Sequence, residues 1–283
     1  MSHRLSVRLA AATLIVLSLT GFRSATSLFA PDAELWPRWQ QHDANSTASI
    51  DFSEWTALLQ ARVSQRSDGV GLFDYGAMTA ADHQTLDAFI ARMAALEISS
   101  YSRPQQMAYW INLYNALTVD VVLEHYPVPS IREIDISPGF FADGPWGKKL
   151  VTVEGEQLTL NEIEHRVLRP IWQDARVHYA VNCASIGCPN LASEAYRGDA
   201  IDAQLDAAAR AYINNWRGVT VKGGEIDVSS IYDWFYDDFG GSDDSLMAHL
   251  IEYAEPELAG QLRQIGAISG TMYDWNLNDA GKR

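Results

Sequence analysis

The chain has 283 residues, 47% hydrophobic and 11% aromatic, which is enough for a well-buried core. Its 21 basic and 36 acidic residues give a formal charge of −15. A surface this negative repels phosphate backbones and anionic headgroups and speaks against nucleic-acid binding. With two cysteines, the fold is not a disulfide-built scaffold.

Residues 1–27 read as a secretory signal peptide. Arg4 and Arg8 precede an apolar run at 9–19, and small and polar residues follow. The run falls short of the ~20 residues of a membrane span. Cleavage after Ala25, Ser27 or Ala30 fits the pattern, and no nearby cysteine offers a lipid anchor. The mature chain is therefore expected to be exported, periplasmic or extracellular, without a stable membrane span. Without residues 1–27, 18 basic residues face 36 acidic ones, a net −18. Residues 28–50 read as a lead-in and 51–283 as one globular domain.

A helix is predicted from Asp51, with Ser53 as N-cap and Trp55, Leu58, Leu59 and Val63 at helical spacing. "DGVGLFDYGAM" breaks it. Thr79 caps a second helix whose apolar face is Leu86, Phe89, Ile90, Met93 and Leu96. The longest helical signal covers 103–126, with Pro104 in its first turn and Pro127 ending it. Its apolar residues occupy more than one face, so it is predicted to be central and buried. Asn112 and Asn115 project from one side of it, to tie a loop down or to line a site.

"KLVTV" and "QLTL" predict a hairpin around Glu154-Gly155-Glu156. Thr159 and Glu162 have capping-box spacing at the start of a helix that stops at Pro170 and carries His165 one turn after Glu162. Residues 177–181, "VHYAV", read as a short strand ending at Asn182-Cys183. A helix over about 199–216, a hairpin around Lys222-Gly223-Gly224, a Ser-capped helix "SSIYDWFYDDFG" and a helix near 245–254 complete the chain, which closes in "YDWNLN". The expected class is α+β, a single mostly helical domain with a long buried central helix and short β-hairpins.

Both cysteines lie in "HYAVNCASIGCPN", residues 178–190, with four residues between them. A strand end delivering a polar loop is a usual setting for reactive groups. A thiol becomes a nucleophile when a cation, helix N-terminus or histidine favours its thiolate. Cys183 is the candidate nucleophile and His165, from another element, the candidate base. Glu162 or Asn112 is placed to orient the ring. His178 is the weaker candidate, because a regular strand points it to the face opposite Cys183. Backbone amides of residues 184–187 are the candidate oxyanion donors. Three alternatives stay open for the cysteines: a Cys183–Cys188 disulfide, with little entropic gain from so short a loop; a resolving role for Cys188; and a zinc site with His165 and His178, whose Cys spacing is unlike that of common sites. No phosphate loop, dinucleotide-binding glycine set, GxSxG or HExxH motif is present, so no cofactor is indicated.

"YWINLYNALTV" (109–119), "LNEIEHRVLR" (160–169), "HYAVNCASIGCP" (178–189), "SSIYDWFYDDF" (229–239) and "YDWNLN" (273–278) occur in this order. Together they resemble the domain-of-unknown-function family 547 (DUF547) over roughly residues 50–278. In that pattern the Glu-His pair and the first cysteine recur, which carried over favours Cys183 and His165, with His178 matching less well. Fusion of some animal members to a glutaredoxin-like domain implies thiol chemistry only by association. The long helix beside short hairpins also suits a papain- or transglutaminase-like arrangement, except that the nucleophile of such folds opens the central helix, and here that helix contains no cysteine.

The leading expectation is an exported thiol-dependent hydrolase or acyltransferase acting on an amide or thioester of an unknown small molecule or peptide. One alternative is a non-enzymatic periplasmic binding or scaffold protein with a structural Cys183–Cys188 disulfide and a groove near Trp110, Trp146 and Trp172. The other is a thiol-redox protein cycling the two cysteines.

Overall fold

The computed structural model describes residues 31–139 and 144–281, so the expected signal peptide at 1–27 lies outside the described residues. The chain is organised around the helix Arg103–His125, in which 16 of 23 residues are buried, so it meets protein on every side. Pro104 occupies its first turn, and the extended Tyr126 before Pro127 ends it. The larger hydrophobic cluster surrounds this helix.

Helices Ser53–Arg62 and Ala80–Ala94 pack on one flank. Ser53 is the first helical residue and not the cap; its N–H donates to the Asp51 carboxylate instead. Thr79 does cap the second helix, in a reciprocal capping box with Asp82. Leu96 falls beyond that helix. Between the two helices the glycine-rich break folds into a two-stranded hairpin, Val63–Gln65 with Gly71–Phe73.

The predicted hairpin before the His165 helix is present as Val151–Val153 with Glu156–Leu158. The following helix begins as an α-helix at Leu160–Glu162, widens into a π-helix at Ile163–Leu168, and returns to α at Arg169–Trp172. It therefore does not stop at Pro170, which sits in the first turn after the π segment, where its missing N–H is tolerated.

Residues 177–181 do not form a strand. Ala175–Tyr179 is a 3₁₀-helix capped by the Asp174 side chain, and its Val177 and Tyr179 are buried by packing, without strand pairing. The next helix, Ile201–Ile213, is shorter than its apolar signal. Val219–Lys222 and Glu225–Ser229 pair antiparallel as predicted. A third strand, Gly270–Met272, adds in parallel to the second. "SSIYDWFYDDFG" is two short turns, Ile231–Trp234 and the 3₁₀-helix Tyr236–Phe239. Helices Asp243–Tyr253 and Pro256–Ile265 follow. The second, which the sequence reading did not anticipate, is bracketed by Pro256 and by Gly266 at φ 74°.

This C-terminal part has its own hydrophobic cluster around Tyr179, Tyr212 and Tyr232. The expected mostly helical α+β class holds. Among the described residues no helix is long and apolar enough to cross a membrane.

Candidate active site

The cysteine loop is pinned by buried amides. Asn115, on the central helix, donates to Ala180 O and accepts from the Asn182 N–H. The Asn182 side chain in turn accepts from the Ala184 N–H and donates to Pro189 O. These bonds hold Ala184 in the left-handed region at φ 57°, a conformation that costs about 1 kcal/mol or more for a residue with a Cβ. The C-terminal tail closes the other side: Ile186 N–H donates to Asn276 O and Gly187 N–H to Asp274 O. A Cβ at Gly187 would meet the Asp274 nitrogen at 2.7 Å, so only glycine lets the two backbones approach. Arg217 donates to the carbonyls of Ile186 and Cys188 from behind the loop.

Both cysteines are free thiols, with sulfurs 3.0 Å apart. This is a polar contact, well beyond the ~2.05 Å of a disulfide bond, so the structure does not contain the Cys183–Cys188 bridge. Cys183 is half-buried. Its sulfur lies 3.0 Å from Cys188 Sγ, 3.1 Å from the Tyr273 hydroxyl and 3.3 Å from Ser185 Oγ. The Cys188 S–H, followed by Ser185 and Tyr273, stabilises a Cys183 thiolate against the opposing effect of burial and lowers its pKa. Cys188 moves the other way: burial, then its contact with Cys183, pushes its thiol well up.

Both thiols open into a cavity of about 740 Å³ at the seam between the two hydrophobic clusters. Trp146, Trp234, Trp275 and Tyr273 form an aromatic wall, and Glu164, His165 and His178 a polar one. Because the π segment rotates successive side chains less than an α-helix does, Glu164 and His165 both face this cavity. Such widened turns recur at functional sites.

Phe235 is the hub of the polar wall. The His178 ring stacks on it at 4.2 Å and 10°, the His165 ring lies 5.8 Å away, and the Arg169 guanidinium sits 4.6 Å from its centre. Arg169 donates through Nε to Asp238 at 2.6 Å and through Nη1 to Pro31 O. Nη1 also lies 3.1 Å from His165 Nδ1. His178 Nε2 is 2.7 Å from the same Asp238 oxygen, and its Nδ1 is 3.8 Å from Glu164. Burial opposes charge on Asp238, but the bonds from His178 and Arg169 outweigh it and hold this carboxyl well below the usual carboxylate range.

Burial lowers His165 to about 4, with Arg169 and His178 reinforcing the shift and Glu164 and Asp238 opposing it. The ring is therefore neutral near pH 7. A guanidinium only donates, so Nδ1 is the acceptor and the proton sits on Nε2. In this tautomer His165 offers a hydrogen-bond donor, not a base. Among the described residues no imidazole nitrogen bonds the Cys183 sulfur.

The other expected partners lie elsewhere. Glu162 closes the capping box with Thr159 and pairs with Lys149, so it does not orient His165. Asn112 bonds both backbone groups of Tyr196. The N–H groups of Ala184, Ile186 and Gly187 are already engaged and are not oxyanion donors. His178, set by its 3₁₀ turn, lines the same cavity as Cys183 and does not point away from it. Of the three tryptophans expected around a groove, only Trp146 lines the cavity; Trp110 is core. Among the described residues no group of three or more His, Cys, Asp or Glu side chains is arranged to hold a metal ion.

Sequence reasoning passed over Glu164, Arg169, Phe235, Asp238 and Tyr273. Each lies inside one of the ordered motifs, so the motifs themselves were the available signal.

Comparison with known proteins adds one result. No curated protein and no solved structure matches the chain significantly. Residues 98–213 match the family described as "Protein of unknown function, DUF547", a narrower stretch than the motifs span, with Phe235, Asp238 and Tyr273 beyond its end. The chain is thus similar to this family over residues 98–213, a likeness carried by the central helix, the π-containing helix and the cysteine loop.

Proposed function

We propose that the protein is a thiol-dependent acyltransferase or hydrolase in which Cys183 is the nucleophile. The observation that supports this most is the convergence of three polar groups, the Cys188 thiol and the Tyr273 and Ser185 hydroxyls, within 3.3 Å of the Cys183 sulfur at the wall of a substrate-sized cavity. Thiolate formation then rests on stabilisation by Cys188, Tyr273 and Ser185 and needs no histidine base. His165 contributes its Nε2–H to the polar wall, and Arg169 fixes that tautomer. The order of charge and apolarity in residues 1–27 supports export of the chain.

The test is covalent labelling of the reduced protein with iodoacetamide at graded pH, followed by peptide mapping and a screen of acyl donors. Rapid modification of Cys183 at neutral pH is expected, with acyl turnover lost in Cys183→Ala. Unchanged turnover in that variant would sink the reading.

The 3.0 Å contact between a half-buried thiol of lowered pKa and a buried one of raised pKa also favours a second reading, dithiol redox exchange. That reading requires reversible titration of the pair against a dithiol buffer, coupled to reduction of a substrate disulfide.

A further inference from the structure

We infer that the acyl donor is a thioester, not an amide. This rests on the reading of Cys183 as an acyl-accepting nucleophile and narrows the substrate class of that site. The step is a sulfur-for-sulfur exchange. The Cys183 thiolate adds to the thioester carbonyl, the C–S bond of the donor breaks, and the electron pair departs on the released thiolate. The enzyme keeps a Cys183 thioester, and no net proton moves.

An amide makes a demand that a thioester does not: its nitrogen must receive a proton before the C–N bond breaks. Among the described residues, none of the groups in contact with the Cys183 sulfur is an imidazole or a carboxyl that could deliver one. The sulfur is contacted by two hydroxyls and a thiol, not by an imidazole shuttling between nucleophile and leaving group. Both cavity histidines are otherwise committed. His165 accepts from Arg169 at Nδ1, so it has no free acceptor nitrogen to collect the thiol proton. His178 is held between Asp238 at 2.7 Å and Glu164 at 3.8 Å, stacked on Phe235. The two acidic hydrogens nearest the sulfur, on Tyr273 and Cys188, belong to groups that burial makes weaker acids than usual.

A departing thiolate needs no such help, since its basicity is close to that of the attacking sulfur. The cavity agrees with this class. About 740 Å³ behind a wall of Trp146, Trp234 and Trp275 accommodates an apolar acyl group together with a small thiol.

The experiment compares three matched probes on the full reduced chain: S-ethyl phenylthioacetate, ethyl phenylacetate and N-ethyl phenylacetamide. The readouts are probe loss by chromatography and intact mass of the protein after acid quench. The alkyl thioester and oxygen ester differ little in their reaction with hydroxide, so the ester controls for carbonyl reactivity. The expected result is a phenylacetyl adduct on Cys183 from the thioester, with kcat/KM at least about a thousandfold above both ester and amide, the scale of a missing general acid. Ester or amide turnover within tenfold of the thioester would overturn the inference while leaving Cys183 as nucleophile. No adduct and no turnover with any probe, under conditions where iodoacetamide still labels Cys183, would overturn the acyl-transfer reading itself.

Discussion

At the scale of single residues, the chemistry rests on what touches one sulfur. Hydrogen bonds to a charged acceptor contribute about 1.5–3 kcal/mol, and 1.4 kcal/mol is a factor of ten in an equilibrium. Tyr273→Phe removes the hydroxyl that lies 3.1 Å from the Cys183 sulfur and can donate to its thiolate, and keeps the ring that packs against Trp234 and Trp275. The variant should label with iodoacetamide about tenfold more slowly at neutral pH, with a smaller effect from Ser185→Ala at 3.3 Å. Equal labelling of wild type and Tyr273→Phe would show that the tyrosine does not stabilise the thiolate. Asp238 works at one remove. It bonds both Arg169 and His178, so Asp238→Asn leaves two buried donors short of a charged partner and should cost roughly 3 kcal/mol by chemical denaturation. A loss under 1 kcal/mol would mean that solvent replaces the carboxylate.

At the scale of elements, the widened helix matters most, because it turns Glu164 and His165 into one wall. The π segment also leaves carbonyls for the N-terminal segment to use: Glu34 N–H donates to His165 O and Trp36 N–H to Arg166 O. Trp36→Pro deletes one of these donors and should cost about 1–2 kcal/mol, with faster hydrogen exchange in the π segment. Unaltered exchange there would separate the N-terminal segment from the site. Glu162, four residues before Arg166, belongs to the cap. Glu162→Gln should lower stability by about 1 kcal/mol or less and leave Cys183 acylation intact, whereas a large loss of acylation would restore an orienting role for it. The capping box at Thr159 and Glu162 was legible because its signal is local, and the central helix because burial on all sides leaves a long apolar run. A π turn has no comparable signature, so nothing in the sequence singles out Glu164 beside His165. Residues 177–181 misread for a related reason: apolar density reports burial, and a buried 3₁₀ turn carries as much of it as a strand.

At the scale of the whole molecule, the site lies where the helix-centred cluster meets the one built on Tyr179, Tyr212 and Tyr232. That juxtaposition brings Tyr273 onto Cys183 and Phe235 and Asp238 onto His178, contacts spanning some sixty to ninety residues that no local pattern encodes. The same meeting of clusters buries histidines. His249 lies on the second cluster, with Nε2 2.9 Å from the Tyr179 hydroxyl, which itself donates to Tyr232. Burial lowers it to about 4, as it does His165, with Arg176 and His178 reinforcing the shift and Asp174 opposing it. In the unfolded chain both rings titrate near 6.5. Between about pH 4 and 6.5 the unfolded state therefore binds more protons than the native state, and stability rises with pH. Their contribution is complete above about 6.5 and is lost as pH falls toward 4, on the order of 3 kcal/mol for each ring. Asp238, whose folded pKa is depressed, adds its own loss only at still lower pH. Urea denaturation at pH 7 and pH 4.5 should show a marked fall in midpoint, and a His249→Gln variant should show a shallower one. A midpoint unchanged across that interval would mean that the two rings protonate inside the fold as readily as in water, which their burial does not permit.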